Sequence, residues 1–308
     1  MLQFSQELSS GNARLRIDVE DSAPRTHVLE TMTFLNYRLA NVVVQPKVTK
    51  SKPDILWLPD ETAKRISYDG VTTLQGDWAQ GELQKVIVSM LALRMEDVGL
   101  HPFHSSAIRY RDLSILFIGG ESNHGKSMGQ IEGSRRGALV ISTETTVTDE
   151  NGVAVMGSKS VYLRERAKGT ERADKLDQDQ GVAKFFDEEP VFKYFNEPTN
   201  IDLVILPAID GNFDPKTVQM MPFERNYQTY HSLTDYFGMR ELLAPGIPMP
   251  MFDNDVRRIA RARFCKNFCD RPSYHIRGKN PQVLFDQLEE VLDSDPRFAG
   301  GRVINARG

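Results

Sequence analysis

Apolar positions along the chain fall mostly into short runs separated by polar clusters, and a helical period surfaces in few places. Over residues 81–97, Leu83, Val86, Ile87, Met90 and Leu91 recur at i, i+3, i+4, i+7 and i+8, which predicts a helix with one apolar face. Gly99 is placed to stop it. The first fifty residues carry short apolar runs such as Asn41-Val42-Val43-Val44 between polar clusters and read as strands. Pro53–Leu58 is a stronger strand candidate, halted by Pro59-Asp60. Past Gly99 the rhythm becomes strand–helix–strand. Ala107–Tyr110 and Ser114–Ile118 read as strands joined by a polar turn at Arg111-Asp112, followed by a glycine-rich loop, a helix over 126–136 and a buried strand Ala138–Ser142.

From Arg166 to Pro198 the chain is dense in charge, and Lys168–Gly181 has no apolar stripe, so it reads as an exposed loop. Ile201–Leu206 is an apolar strand ended by Pro207. Two helices follow. One covers 254–268 and is rich in arginine; the other opens at Asn280-Pro281, an N-cap followed by proline at the first helical position, with Leu284, Leu288, Val291 and Leu292 on one face.

Composition narrows the function classes. The 308 residues are 40% hydrophobic and 26% charged, as in an ordinary globular protein. Cys265 and Cys269 are too few for a disulfide framework and read as buried thiols. No stretch resembles a signal peptide, and no apolar run approaches the roughly 20 residues that cross a bilayer. The expectation is a cytoplasmic protein with no membrane partner. With 38 basic against 42 acidic residues the net charge is -4, which argues against nucleic acid as the main partner. A homo-oligomer stays open. Arg257, Arg258, Arg261, Arg263 and Lys266 cluster on the helix 254–268. They read as a solvated face, with Val256, Ile259, Ala260 and Phe264 turned inward; the alternative makes them clamps for an anionic substrate.

The chemistry concentrates in Gly120-Glu121-Ser122-Asn123-His124-Gly125-Lys126-Ser127, which fits G-x-x-x-x-G-K-[ST] at every fixed position, with a predicted strand before it and a helix after it. Such a loop turns successive N–H groups inward as an anion nest at a helix N-terminus. Gly120, Ser122, Asn123, His124, Gly125, Lys126, Ser127 and Met128 are the candidate nucleotide contacts. Lys126 would reach the β- and γ-phosphates, and the Ser127 hydroxyl would ligate Mg²⁺. His124 also reads simply as a surface residue at a permissive position.

The surroundings carry a resemblance. His104-Ser105-Ser106-Ala107-Ile108, the loop itself, Arg136-Gly137, Ser142-Thr143-Glu144, Asp149-Glu150-Asn151-Gly152 and Ser160–Glu165 fall where the HPr kinase/phosphorylase-like family has its motifs. The likeness is good over residues 100–166 and covers Ile201–Leu206 and Tyr274–Leu292 in outline. It implies an α/β fold: a P-loop core with a mixed β-sheet, like HPr kinase and phosphoenolpyruvate carboxykinase, over 99–308. A small N-terminal α+β domain over 1–98 and a charged insertion around 166–200 complete the chain. It implies an ATP- and Mg²⁺-dependent kinase that phosphorylates a hydroxyl of a small molecule or a protein serine.

Where the family has paired aspartates this chain has Thr143 and Glu144. Glu144 alone keeps a carboxylate, able to hold Mg²⁺ with Ser127 or to accept the substrate proton. His104 then becomes a base or a contact for the transferring phosphoryl group, unless it only hydrogen-bonds backbone. Lys126, Glu144 and His104 are thus the catalytic candidates, and Arg164, Glu165 and Arg166 are candidate substrate contacts. The alternatives are a nucleotide-binding sensor or scaffold with weakened chemistry, and a kinase acting on modified nucleic-acid bases.

Overall fold

Two nine-residue strands, β1 (Leu2–Ser10) and β2 (Ala13–Asp21), form an antiparallel hairpin around a Gly11-Asn12 turn, with Gly11 at φ +57°. The computed structural model describes residues 2–119, 124–160, 162–164, 183–185, 191–235, 247 and 250–298. After the hairpin come α1 (Thr33–Arg38), β3 (Val42–Val44), β4 (Ile55–Leu58), β5 (Arg65–Tyr68) and β6 (Thr72–Gln75). The strands build a mixed six-stranded sheet in the order β3-β1-β2-β4-β6-β5, with β2, β4 and β6 parallel.

Helix α2 (Gln80–Asp97) starts where Glu82 accepts from the Ala79 N–H at 2.9 Å. It is buried on more than the expected face, because Val88, Ser89, Ala92, Leu93 and Met95 add a second buried side to Leu83, Val86, Ile87, Met90 and Leu91. Its end is a Schellman turn: Gly99, at φ +75°, donates to the Glu96 carbonyl, and Leu100 N–H reaches Met95 O at 2.9 Å. That turn launches β7 (His101–His104) and β8 (Ser106–Tyr110).

Next come β9 (Leu113–Phe117), α3 (Lys126–Arg135), β10 (Leu139–Ser142), β11 (Thr145–Thr148), β12 (Val153–Gly157), β13 (Tyr162–Arg164), β14 (Ala183–Phe185), β15 (Lys193–Tyr194), β16 (Thr199–Asn200) and β17 (Leu203–Ile209). The series ends with β18 (Lys216–Gln219), α4 (Pro222–Thr234), α5 (Asp255–Phe268), β19 (Ser273–Gly278) and α6 (Pro281–Ser294). A seven-stranded mixed sheet runs β15-β10-β8-β9-β17-β19-β18, with β9, β17 and β19 parallel at its centre. An antiparallel sheet β16-β12-β11-β7 and the pair β13-β14 complete the set. The described residues are thus mixed α/β, with six α-helices.

The central strands are buried on both faces, which explains their unbroken apolar runs. Ile115, Phe117, Leu203 and Ile205 pack with Leu284, Phe285 and Leu288 of α6. Leu116, Ile118 and Val204 face the other way, onto Phe103, Leu233, Phe264 and Phe268. Helix α3 lies close to the sheet because Gly129 and Gly133 face it: a Cβ at Gly133 would stand 2.7 Å from Ile108 Cδ1 and 2.9 Å from Phe285. The Asn280 side chain caps α6 by accepting from Val283 N–H at 2.8 Å, as its sequence predicts.

Two sequence expectations fail here. Pro207 does not end its strand; β17 continues to Ile209. Ile205 O accepts from Ile118 N–H, so Pro207, two residues on, turns its missing donor to the same side, beyond the end of β9 where no ladder bond is lost. The arginine helix is also turned differently. Val256 and Ile259 are 77% and 52% exposed and Ala260 is exposed, whereas Arg261 is buried with Phe264, Cys265 and Phe268. Arg261 forms a bidentate pair with Glu96 (2.7 and 2.5 Å) and reaches Asp253 at 3.0 Å; Arg257 grips Asp97 at 2.8 and 3.0 Å. Arg263 and Lys266 are exposed, as expected of a solvated face, but Arg257 and Arg261 are ion-paired and join α5 to the C-terminus of α2. Cys265 and Cys269 are free and buried, and burial pushes the Cys265 thiol up to about 12. No helix among the described residues is long and apolar enough to cross a membrane.

Arg261→Ala leaves Glu96 and Asp253 without their buried cation, so it is expected to cost about 3–5 kcal/mol in urea unfolding. A loss below about 1 kcal/mol would place the pair among surface ion pairs instead.

Candidate functional site

Three consecutive residues, from the last of β7 to the first of β8, tie the site together. The His104 ring lies 3.2 Å (Nε2) from Glu144 Oε1 and 2.7 Å (Nδ1) from Asp235 Oδ2. Ser105 N–H donates to the Glu144 carbonyl at 3.0 Å. The Ser106 hydroxyl donates to the carbonyl of Lys126 at 2.9 Å. The strand end is thereby stitched both to the bend carrying Glu144 and to the first residue of α3.

That bend, Thr143-Glu144 between β10 and β11, is held by Ser158, whose hydroxyl accepts from the N–H groups of Glu144 (3.0 Å) and Thr145 (2.9 Å). Thr143 donates to Ser160 O at 2.7 Å and is buried. Its hydroxyl is thus part of the scaffold. Asp149–Gly152 forms the expected turn, with Asp149 Oδ1 accepting from Asn151 and Val153 N–H at 2.9 Å each and Gly152 at φ +76°.

Lys126 opens α3, directly after Gly125 at φ +101°. A Cβ on Gly125 would fall 2.8 Å from Ile209, so the turn admits only glycine. The Lys126 side chain is buried and Nζ donates to Gly119 O at 2.6 Å, folding back over the end of β9. Ser127 is half-buried in the first turn and Met128 is 40% exposed. His124 is half-buried, not a surface residue: its ring packs against Gly119, where a Cβ would lie 3.5 Å from Nδ1. Gly120, Ser122 and Asn123 lie outside the described residues, as do Glu165 and Arg166; of Arg164 only the backbone, in β13, is described.

The site's charges are mutually arranged. Burial alone would raise the Glu144 carboxyl, but the Arg38 guanidinium, His104 and Lys126 bring it down to about 2. Arg38, the last residue of α1, donates to Glu144 Oε1, the oxygen that also faces His104. For His104, burial and Lys126 favour the neutral ring, yet Asp235 and Glu144 outweigh them and its pKa is raised above 6.5. His101, on the same strand, is stacked on Phe264 at 3.8 Å, and burial holds it neutral down to about 4.

The arrangement therefore brings Lys126, His104 and Glu144 together as the sequence expects. It adds Asp235, Arg38 and Ser158, which sequence reasoning missed. Asp235 had a signal: Pro222 at the first turn of α4, with Leu233 in its buried side, marks a helix whose end delivers the carboxylate. Arg38 and Ser158 carry none, since their partners lie more than ten residues away in the chain.

Ser127 in the first turn of α3 and Glu144 in the bend after β10 are the oxygen-bearing side chains that could hold a hard cation alongside a phosphate chain. Among the described residues no group of three or more His, Cys, Asp or Glu could hold a metal. No protein-family model and no curated protein sequence matches the chain.

The linkage signs are opposite for the two members of the central pair. The native state holds the His104 proton more tightly than the unfolded chain, so that contribution is complete below pH 6.5 and fades as pH rises through the native pKa. The Glu144 contribution is complete above pH 4.5 and is lost as pH falls toward 2. His101 subtracts stability as pH falls from 6.5 to 4, because only the unfolded chain takes up that proton. NMR titration is expected to show His104 titrating above 6.5 and moving down in Asp235→Asn. A His104 that titrates at or below 6.5 in the wild type would contradict the clamp by two carboxylates.

Proposed function

We propose that the chain is an ATP- and Mg²⁺-dependent phosphotransferase of the HPr kinase-like kind, with a P-loop core, acting on a hydroxyl of a small molecule or a protein serine. The single observation that carries this reading is the convergence of Lys126, at the start of the glycine-preceded helix α3, with the Glu144–His104–Asp235 cluster. Phosphoryl transfer runs through a loose transition state, so it asks the protein for positioning and charge more than for proton abstraction.

Lys126 moves from Gly119 O to the β- and γ-phosphate oxygens, and the N-terminus of α3 holds the phosphate chain. Ser127 and Glu144 would hold a magnesium ion, which would supply positive charge to the phosphates of the nucleotide. Glu144, ionised across the neutral range, orients the acceptor hydroxyl. His104, whose pKa Asp235 and Glu144 raise, faces the transferring phosphoryl group and in its imidazolium form offers it positive charge. Asp235 fixes the ring, and Ser158 fixes the backbone of Glu144.

A second reading, a nucleotide-binding sensor, draws on one observation: Arg38 sits on the carboxylate that a kinase would use. Incubation with γ-labelled ATP, Mg²⁺ and fractionated acceptors separates the two. Transfer that falls at least 100-fold in Lys126→Met and Glu144→Gln supports the kinase. Nucleotide binding without transfer to any fraction supports the sensor. The pH profile assigns His104: activity is expected to fall as pH rises through a pKa above 6.5, with the imidazolium. A rate that rises through that pKa makes His104 the base.

A further inference from the structure

Arg38 belongs to the N-terminal part of the chain, yet its guanidinium ends on Glu144. Its backbone is anchored separately, because the Thr145 hydroxyl donates to the Arg38 carbonyl. The segment is therefore docked on β11 whether or not the side chain makes its ion pair, so docking alone does not account for the guanidinium. The rings of Phe34 and Tyr37 stand 5.6 and 5.3 Å from the guanidinium carbon. Contacts over aromatic faces restrict the side chain without using up its in-plane N–H donors.

Position and charge point the same way. Arg38 is the more exposed of the two cationic side chains that touch Glu144, 19% against 6% for His104, and Asp235 beside His104 is 25% exposed. Arg38, Lys126 and His104 are three cationic groups facing two carboxylates, Glu144 and Asp235. A planar guanidinium fork suits a phosphoryl group with two oxygens turned toward it, as it suits a carboxylate.

We propose that Arg38 is a ligand-binding residue for the terminal phosphoryl group of a nucleoside triphosphate, exchanging Glu144 for that group when the nucleotide binds. The inference rests on the phosphotransferase reading and deepens it. Arg38 gives up one oxyanion for another, Glu144 keeps His104, and the carboxylate is released for its work on the acceptor or the metal. The N-terminal sheet with its helix α1 then supplies one side of the γ-phosphate site, so a diphosphate gains nothing from it.

The test is calorimetric titration of the full chain with Mg²⁺ and either AMP-PNP or ADP, for wild type, Arg38→Gln, Arg38→Lys and Lys126→Met. The expected result is a loss of 10-fold or more in AMP-PNP affinity in Arg38→Gln, an ADP affinity within twofold of wild type, and partial recovery in Arg38→Lys. A purely structural ion pair would weaken both nucleotides alike and lower the melting temperature of the unliganded protein. Equal losses, or an unchanged preference for AMP-PNP, overturn the proposal. The two ideas fail separately. Arg38-dependent AMP-PNP binding with no phosphate transfer retains the inference and sinks the kinase. Phosphate transfer with an Arg38-independent preference does the reverse. A wild type that binds neither nucleotide sinks both.

Discussion

A carboxylate taken largely out of water must be met by positive charge and donors, and at Glu144 this requirement organises much of the molecule. Its ionic and hydrogen-bonding partners come from different elements: Arg38 from α1, His104 from β7, Lys126 from α3, and Ser158 from the end of β12. Meeting the charge of one side chain therefore ties three segments to its own, and Ser158 holds its backbone N–H. His104 extends the demand by one step, since its second nitrogen calls in Asp235 from the end of α4. A local fault at any member would leave buried charge unpaired.

The backbone makes room for this arrangement at specific places. Gly125 lets the chain turn into α3 against Ile209, and Gly133 lets that helix approach Ile108 and Phe285. Pro207 sits in β17 where the neighbouring strand has already ended, so the opening above β9 costs the sheet no hydrogen bond. The Schellman turn at Gly99 passes directly from α2, packed on the first sheet, into the strand that carries His104. The turn thus joins the helix packed on the six-stranded sheet to the edge strand β7 of the four-stranded one.

A second charge cluster shows what a structural role looks like. Glu96 and Asp97 stand at the C-terminus of α2, where the helix dipole disfavours carboxylates. Arg261 and Arg257 from α5 offset that cost, and the Arg261 side chain is 0% exposed, between Glu96 and Asp253. There the cation is enclosed by carboxylates and dry. Around Glu144 the Arg38 side chain keeps 19% of its surface exposed, so the same residue types there stay in partial contact with solvent.

The sequence alone determined the elements whose signals are local: the caps at Asn280 and Gly99, the helix after Gly125, the apolar strands at the centre of the large sheet, and the loop that makes Lys126 a candidate. The Gly11-Asn12 turn and the long strands beside it went unread, because the exposed faces of β1 and β2 are polar and charged. Periodicity misjudged α5, since it counts Val256 and Ile259 as inward and arginine as outward, and a buried guanidinium with two carboxylates reverses that order. What only the tertiary structure decided was which charges meet. Arg38, Ser158 and Asp235 reach His104 and Glu144 across long stretches of chain, and pairing at such separation is set by packing in space, which no local pattern of residues encodes.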